Sequence, residues 1–192
     1  FNNRICRWTS APVVLRIPIV GSLLRKIGYI PAKAPSILES LTKRDENVGI
    51  ILDGIAGMFH QSAGEETAFL KKRKGVVKIA LKAGVPIIPA YNFGNTSCYK
   101  VVVDPFGILE GLSNKLQASL TPFFGRWGWP LGPPVRVPST VCLGNPIECP
   151  KTDDPTQEMI DQYHAKMLEG FQEVFDQHKE AYGWQNKKLH FV

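Results

Sequence analysis

The most regular hydrophobic pattern of the chain lies near its C-terminus. Apolar side chains recur there at steps of three and four residues, the period of one helix face. Asp154 is placed to cap this helix, Pro155 fits its first position, Gln157 completes a capping box, and Gly183 ends it. The pattern predicts a long amphipathic helix that packs on the body of the protein through one face: Ile160, Tyr163, Met167, Phe171, Val174 and Phe175.

Upstream, short apolar runs alternate with a helical pattern. VGIIL (48–52) predicts a buried strand, residues 66–83 predict a helix that ends at Gly84, and VPIIPAYNF (85–93) predicts a second strand. Together they predict one right-handed βαβ unit and therefore an α/β fold.

Further short elements complete the pattern. Ser36 and Glu39 form a capping box that predicts a helix over SILESLTKR, and strands are predicted at 100–103 and 140–143. Within the second strand of the βαβ unit, prolines lack the amide donor that a central strand needs. They therefore predict an edge strand, a bulge or a late start at Pro86 and Pro89. The Gly-, Pro- and aromatic-rich residues 105–138 predict little regular structure.

Size and charge narrow the picture. The chain has 192 residues and a formal net charge of +6. The length favours a single domain that spans residues 1–192. The positive charge favours anionic partners: nucleic acid, phosphorylated cofactors or an acidic membrane surface. No uninterrupted apolar run approaches the ~20 residues that a bilayer-spanning helix needs. The spacing of the cysteines predicts reduced thiols, mostly small core residues, at Cys6, Cys98, Cys142 and Cys149.

Four consecutive cations, residues 71–74, stand directly before an apolar helical pattern. A helix start has unpaired amides and a positive dipole end, so it holds anions well. If the helix restarts near Gly75, then Arg73 and Lys74 flank that start, and glycine allows close approach of a ligand to the backbone. The alternative is that the run is one exposed charged turn of a longer helix.

Two predicted strands end in residues that suit a ligand crevice. In α/β sheets, ligands gather beyond the carboxyl ends of strands. Asp53 and Gly54 follow the first strand, and Phe93 and Gly94 follow the second. With the basic run, these strand ends could line one crevice. Asp-Gly and Asn-x-Gly are also ordinary turn sequences, so a purely structural role stays open.

The histidines and one aromatic segment offer weaker candidates. His60, five residues before Glu65, could act as a general base or be a polar loop residue. His164 and His178 are interpreted as packing or boundary residues of the last helix. No GxSxG, GxGxxG or Walker sequence is present. An aromatic patch could meet a membrane interface or an acyl chain, form a small core under a loop, or stack on RNA: Phe123, Phe124, Arg126, Trp127 and Trp129.

Four blocks, in order, resemble the type 2 diacylglycerol acyltransferase family, which includes monoacylglycerol and wax-ester acyltransferases. Residues 70–94 look like the family's R-K-G-F…A-L…G…V-P…F-G block, and residues 15–30 look like its R-x-P…G segment. Residues 51–59 stand where the family has G-G-x-x-E. Residues 140–183 are similar to its G-x-P-I…P-T…Y-H…L-F-x-x-H-K ending.

The resemblance implies transfer of an acyl group from acyl-coenzyme A to a hydroxyl of diacylglycerol or a related glycerolipid, in triacylglycerol synthesis. It implies acyl-coenzyme A as co-substrate with no cofactor or metal, a membrane surface as partner and no nucleic acid. The expected setting is the cytosolic face of the endoplasmic reticulum membrane or a lipid droplet. The expected fold is glycerolipid-acyltransferase-like, with a mixed or mostly parallel sheet flanked by helices.

The chain also departs from the family pattern. The family's catalytic histidine belongs to an H-P-H-G motif, which these 192 residues lack, so we expect an N-terminally truncated acyltransferase domain. No catalytic residue is assigned within the chain. Gly57 stands in place of the family's Glu and Val76 in place of its Phe, and Glu65 or Glu66 could replace the missing carboxylate. The alternatives are a non-catalytic family member that binds lipid or coenzyme A and, from charge alone, a nucleic-acid-binding domain.

Overall fold

A computed structural model describes residues 4–53, 65–101, 123–130 and 132–192. These ranges contain five α-helices and nine short strands, so the predicted mixture of helix and strand is confirmed. Within them, no helix combines the length and the hydropathy that crossing a bilayer requires.

The N-terminal part is a small three-stranded sheet with helices between its strands. The strand order is β2-β1-β3, and both pairings are parallel. Its elements are β1 (Cys6–Ser10), α1 (Pro12–Arg16), α2 (Pro18–Lys26), β2 (Ile30–Pro31), α3 (Ala34–Thr42) and β3 (Asn47–Gly49).

The remaining strands form three two-stranded sheets. β4 pairs in parallel with β9, whereas β5 pairs with β8 and β6 with β7 in antiparallel. The elements are β4 (Glu66–Ala68), α4 (Gly75–Ala83), β5 (Ala90–Phe93), β6 (Lys100–Val101), β7 (Phe123–Phe124), β8 (Thr140–Leu143), α5 (Gln157–His178) and β9 (Leu189–Phe191).

The predicted βαβ unit over 48–93 is wrong. β3 belongs to the N-terminal sheet, and β5 pairs with a strand fifty residues later instead of with β3. The strand predicted at 48–52 stops at Gly49, and Ile51 beyond it is 74% exposed. The first half of the helix predicted at 66–83 is instead strand β4 followed by a turn, and the helix starts only at Gly75. Pairing of β4 with the distant β9 outweighs local helix propensity at residues 66–68.

Other boundaries follow the sequence closely. β5 starts directly after Pro89, which confirms the late start, and β8 occupies the predicted residues 140–143. α3 lies where predicted, but Lys33 is its N-cap residue and Ser36 lies inside it. α5 is capped by the Thr156 hydroxyl, which accepts from the Met159 amide, instead of by Asp154, and the helix ends at His178.

Two hydrophobic clusters lie against opposite ends of α5. The first joins Val77 and Leu81 of α4 to Ile160 and Met167 of α5, and the second joins Phe93 to Phe175. The predicted apolar face of the C-terminal helix is therefore confirmed as the main packing surface of this part of the chain. The four cysteines are free; Cys149 is a core residue as expected, but Cys6 is exposed because it lies on an uncovered side of β1.

Candidate functional site

The cations of the basic run form a turn that leads directly into α4. Lys74 is the N-cap residue, and Gly75 is the first residue of the helix. No side chain among the described residues caps this end, so the first amides keep their partial positive charge. A Cβ atom placed on Gly75 would meet no described atom within 4 Å. The prediction of a helix restart near Gly75 is confirmed, and the alternative of a longer charged helix is wrong.

Two later parts of the chain hold this basic turn (residues 70–75) in place. The buried Leu70 carbonyl oxygen accepts from the Arg73 amide at 2.9 Å and from Nε2 of His164 on α5 at 2.9 Å. Because a carbonyl only accepts, Nε2 of His164 carries the hydrogen. The Lys71 amide donates to the Val192 carbonyl oxygen at 3.1 Å. The backbone of the turn is thus fixed, while the Lys71 and Arg73 side chains are exposed.

One cation of the turn already has an internal partner. The Lys74 ammonium lies 2.7 Å from the Asp161 carboxylate, and both side chains are about half exposed. Hydrogen bonds from Lys74 and then from Gln157 lower the pKa of Asp161. A ligand anion would therefore compete with Asp161 for Lys74, whereas Arg73 makes no ion pair within the described ranges.

Asp53 lies beside the same turn. Its Oδ1 atom accepts from the Phe69 amide at 2.6 Å. Burial raises the pKa of Asp53, and the Phe69 amide and the positive charge of Arg73 oppose that increase. The structure therefore places Asp53 beside the basic turn and within electrostatic range of Arg73. Gly54 lies outside the described residues, as do Gly57 and His60.

Phe93 and Gly94 lie in a different environment. The Phe93 side chain is fully buried in an aromatic cluster formed by Tyr91, Phe93, Phe175, Tyr182 and Trp184, whose rings stack and meet edge to face. Gly94 is buried with φ of 86°, and a Cβ atom there would overlap the Pro138 carbonyl oxygen and the Tyr182 hydroxyl. Any contribution of these two residues to a crevice is through packing, and the crevice itself stays a prediction.

A buried carboxylate links this cluster to the C-terminal segment. Glu66 on β4 accepts from Lys187 at 2.7 Å, from the Tyr91 hydroxyl at 3.2 Å and from the Thr96 hydroxyl at 3.3 Å. Burial, and then the negative charge of Glu66, raise the pKa of Tyr91. Both oxygens of Glu66 are thus occupied by contacts within the fold. These contacts connect β4 to β5 and to the segment before β9.

The aromatic patch is largely at the surface. Trp127 and Trp129 are exposed, with ring centroids 6.0 Å apart, and the Arg126 guanidinium lies 4.5 Å from the centroid of Trp127. These exposures favour a surface role over a buried satellite core. Phe124 is partly buried in the short antiparallel sheet of β6 and β7.

Sequence reasoning missed the contribution of α5 to the site. His164 is buried, in line with its interpretation as a packing or boundary residue, whereas its hydrogen bond to the basic turn and the ion pair of Asp161 are findings of the structure. Their spacing carries the signal, since residues three apart share one helix face. A helix that presents a carboxylate and an imidazole on one face next to its apolar stripe marks a polar contact with a neighbouring turn.

The comparisons with known proteins identify the family to which the chain is similar. The family model described as diacylglycerol acyltransferase matches residues 5–192. The chain is 32% identical to human diacylglycerol O-acyltransferase 2-like protein 6 over 184 residues, covering 87% of the chain and 54% of that protein. It is 33% identical to zebrafish (Danio rerio) diacylglycerol O-acyltransferase 2 over 180 residues, covering 88% and 50%.

A third relative carries a different acceptor in its name. The chain is 34% identical to human acyl-CoA wax alcohol acyltransferase 2 over 178 residues, covering 87% of the chain and 53% of that protein. The chain spans about half the length of the curated relatives it matches. No solved structure matches it. The match of the family model over nearly all of its residues shows that the chain belongs to the diacylglycerol acyltransferase family.

Proposed function

We propose that this chain is part of an acyl-coenzyme A-dependent O-acyltransferase that acylates diacylglycerol or a related glycerolipid in triacylglycerol synthesis. In that reaction, the acceptor hydroxyl oxygen attacks the thioester carbonyl carbon and the C–S bond breaks. Coenzyme A leaves as the thiol, which gains the proton that the hydroxyl loses. The expected fold is glycerolipid-acyltransferase-like, with acyl-coenzyme A as co-substrate and no cofactor, and the expected setting is the endoplasmic reticulum membrane or a lipid droplet.

The observation that carries the proposal is the fixed basic turn at the start of α4. Coenzyme A bears phosphate groups, and the turn offers exposed cations, uncapped amides and open space at Gly75. Arg73 is the strongest candidate ligand, because a guanidinium can hold two phosphate oxygens at once. Lys74 would exchange its Asp161 partner for a phosphate, and Asp53 would set the position of Arg73.

The test is the affinity for coenzyme A. Arg73→Gln is expected to weaken binding by about tenfold in calorimetric titration, since it removes one charge-assisted contact. Lys82→Gln, which removes a cation from the last turn of the same helix, is the matched control and should bind as the wild type does. In the full-length protein, Arg73→Gln should raise KM for acyl-coenzyme A while kcat is retained. Wild-type affinity in Arg73→Gln would remove the phosphate role of the turn.

A further inference from the structure

A cleft of about 280 Å³ opens between α1, α2 and the residues that lead into α3. Its lining combines proline and leucine side chains with three cations and a phenol: Arg16, Arg25, Lys33 and Tyr29. The three cationic residues are exposed, whereas Tyr29 is half-buried. We call this the cation cleft. It shares no residue with the basic turn.

The cations of the cleft have no acidic partner. Residues 8–38 contain four cations and no carboxylate, and three of the four line the cleft. In the part of the chain that the structure describes, none of the three makes an ion pair. Like charges that lie close together repel one another, so a bound anion would relieve this repulsion. The cleft therefore favours an anionic ligand.

The walls of the cleft are fixed by the packing of two helices. Gly21 is the buried residue of α2, and a Cβ atom there would overlap the carbonyl group of Leu15 on α1, so the glycine lets the helices approach closely. The Arg25 guanidinium donates to the Leu15 carbonyl oxygen across this contact. A guanidinium has five N–H donors, so the others remain for a ligand while the group is already held in position.

The cation cleft lies at the carboxyl edge of the N-terminal sheet. β1 and β2 are parallel, and the cleft is lined by residues at and beyond their carboxyl ends. Pro12 stands two residues after the last residue of β1, and Pro31 is the last residue of β2. In open α/β sheets, ligands bind in the crevice outside the carboxyl ends of parallel strands. The position of the cleft is thus that of a ligand site.

The same edge of the sheet leads to the basic turn. β3 is parallel to β1, and the Thr9 hydroxyl of β1 donates to the Gly49 carbonyl oxygen at the end of β3 at 3.2 Å. Four residues later, which is at most ~14 Å of chain, Asp53 accepts from the Phe69 amide, directly before the turn. α3 begins beside the cleft and packs on α4, which begins at the turn. The two cationic features therefore belong to neighbouring parts of the fold.

We propose that the cation cleft binds the ribose 3′-phosphate of coenzyme A while the basic turn binds the pyrophosphate of the same molecule. Coenzyme A carries phosphate at these two places on one ribose. The 3′-phosphate is a monoester with strong acceptor oxygens, which unpaired guanidinium and ammonium groups match. The apolar lining and the Tyr29 ring give the adjoining adenine a surface to pack on. The inference rests on the proposed function and adds a second anchor for its donor substrate.

The experiment is calorimetric titration of the full chain with coenzyme A and with 3′-dephospho-coenzyme A. The wild type is expected to bind coenzyme A about tenfold more tightly than the dephospho form. Arg16→Gln combined with Lys33→Gln, the cleft variant, should weaken coenzyme A binding about tenfold and leave the affinity for the dephospho form unchanged. Arg73→Gln should weaken the binding of both ligands alike, because both carry the pyrophosphate.

A matched control separates the cleft from the overall charge. Lys26→Gln combined with Lys43→Gln removes the same total charge from exposed positions outside the cleft, in the last turn of α2 and at the C-cap of α3. This variant should keep the wild-type affinity and the wild-type preference for coenzyme A. Circular dichroism verifies that each variant is folded, which is expected because all four changed side chains are exposed.

The outcomes distinguish this assignment from the proposed function. Equal wild-type affinity for the two ligands, or a cleft variant that weakens both alike, would overturn the role of the cleft, and a loss in Arg73→Gln would still support the proposed function. Two molecules of coenzyme A per chain, with one of them lost in the cleft variant, would overturn the sharing of one ligand. Wild-type affinity in Arg73→Gln, with the cleft variant defective toward coenzyme A alone, would reject the phosphate role of the turn and support that of the cleft.

Discussion

The basic turn and the Phe93–Gly94 strand end were predicted to line one crevice, yet they occupy opposite kinds of environment. The turn exposes its cationic side chains and leaves open space at Gly75, whereas Phe93 is fully buried and Gly94 is enclosed by two oxygen atoms. Both contain a glycine at the boundary of a secondary-structure element. The comparison teaches that a glycine at an element boundary can serve ligand access or tight packing, and that only its surroundings decide which.

The largest effect on stability is expected at Phe93, which is fully buried. Phe93→Ala should lower the free energy of unfolding by about 3–5 kcal/mol, because it leaves a cavity among stacked rings. Urea denaturation measures this change. Trp127→Ala, which truncates an exposed aromatic residue, is the control and should change stability by no more than about 0.5 kcal/mol. Similar losses in both variants would mean that the aromatic cluster is not a distinct core.

The two glycines provide a direct test of the contrast. Gly94→Ala should cost about 2–4 kcal/mol, because a Cβ atom would overlap two oxygens at a left-handed backbone position. Gly75→Ala should stabilise by up to ~1 kcal/mol, since alanine is the better helix former and the site is open. Thermal unfolding separates them. A destabilised Gly75→Ala variant would show that the helix start is more enclosed than the turn geometry indicates.

The helices were predictable from sequence, but the pairing of the strands was not. The apolar period of α5 and the glycine after α4 are local signals, and both held in the structure. Strands of two to five residues carry little local information, so the pairing of β4 with β9, far along the chain, had no local signature. The candidate site shows the same difference between local features, which the sequence predicts, and tertiary contacts, which it does not. The basic turn was found from sequence, whereas His164 reached it through a tertiary contact.

That tertiary contact is the next target. His164→Phe keeps a buried ring but leaves the Leu70 carbonyl oxygen with the Arg73 amide as its remaining partner among the residues that the structure describes. We expect a loss of about 1–2 kcal/mol in stability and faster hydrogen exchange of the Arg73 amide. His178→Phe, on the same helix, is the control for the ring replacement. If exchange at Arg73 is unchanged while stability falls, His164 supports the core and does not hold the turn.

The smallest effect concerns the pH dependence at Asp53. Burial raises the pKa of Asp53, so between its usual pKa and the raised value the folded protein binds more protons than the unfolded chain. This residue therefore makes stability fall as pH rises through that window. Asp53→Asn cannot ionise, yet its side-chain oxygen can still accept from the Phe69 amide. At neutral pH the free energy of unfolding of the variant should equal that of the wild type or exceed it by no more than ~0.5 kcal/mol. This difference should disappear at acidic pH.

Asp161→Asn is the control, because the stability contributed by Asp161 should change with pH in the opposite direction. The pKa of Asp161 is lowered, chiefly by Lys74, so its contribution is present above the usual pKa and is lost as pH falls. Urea denaturation across acidic and neutral pH compares the three proteins. A clear loss of stability in Asp53→Asn at neutral pH would mean that attraction to Arg73 outweighs burial. Asp53 would then hold Arg73 as an ion-pair partner, and a phosphate would have to displace it, as it would displace Asp161 from Lys74.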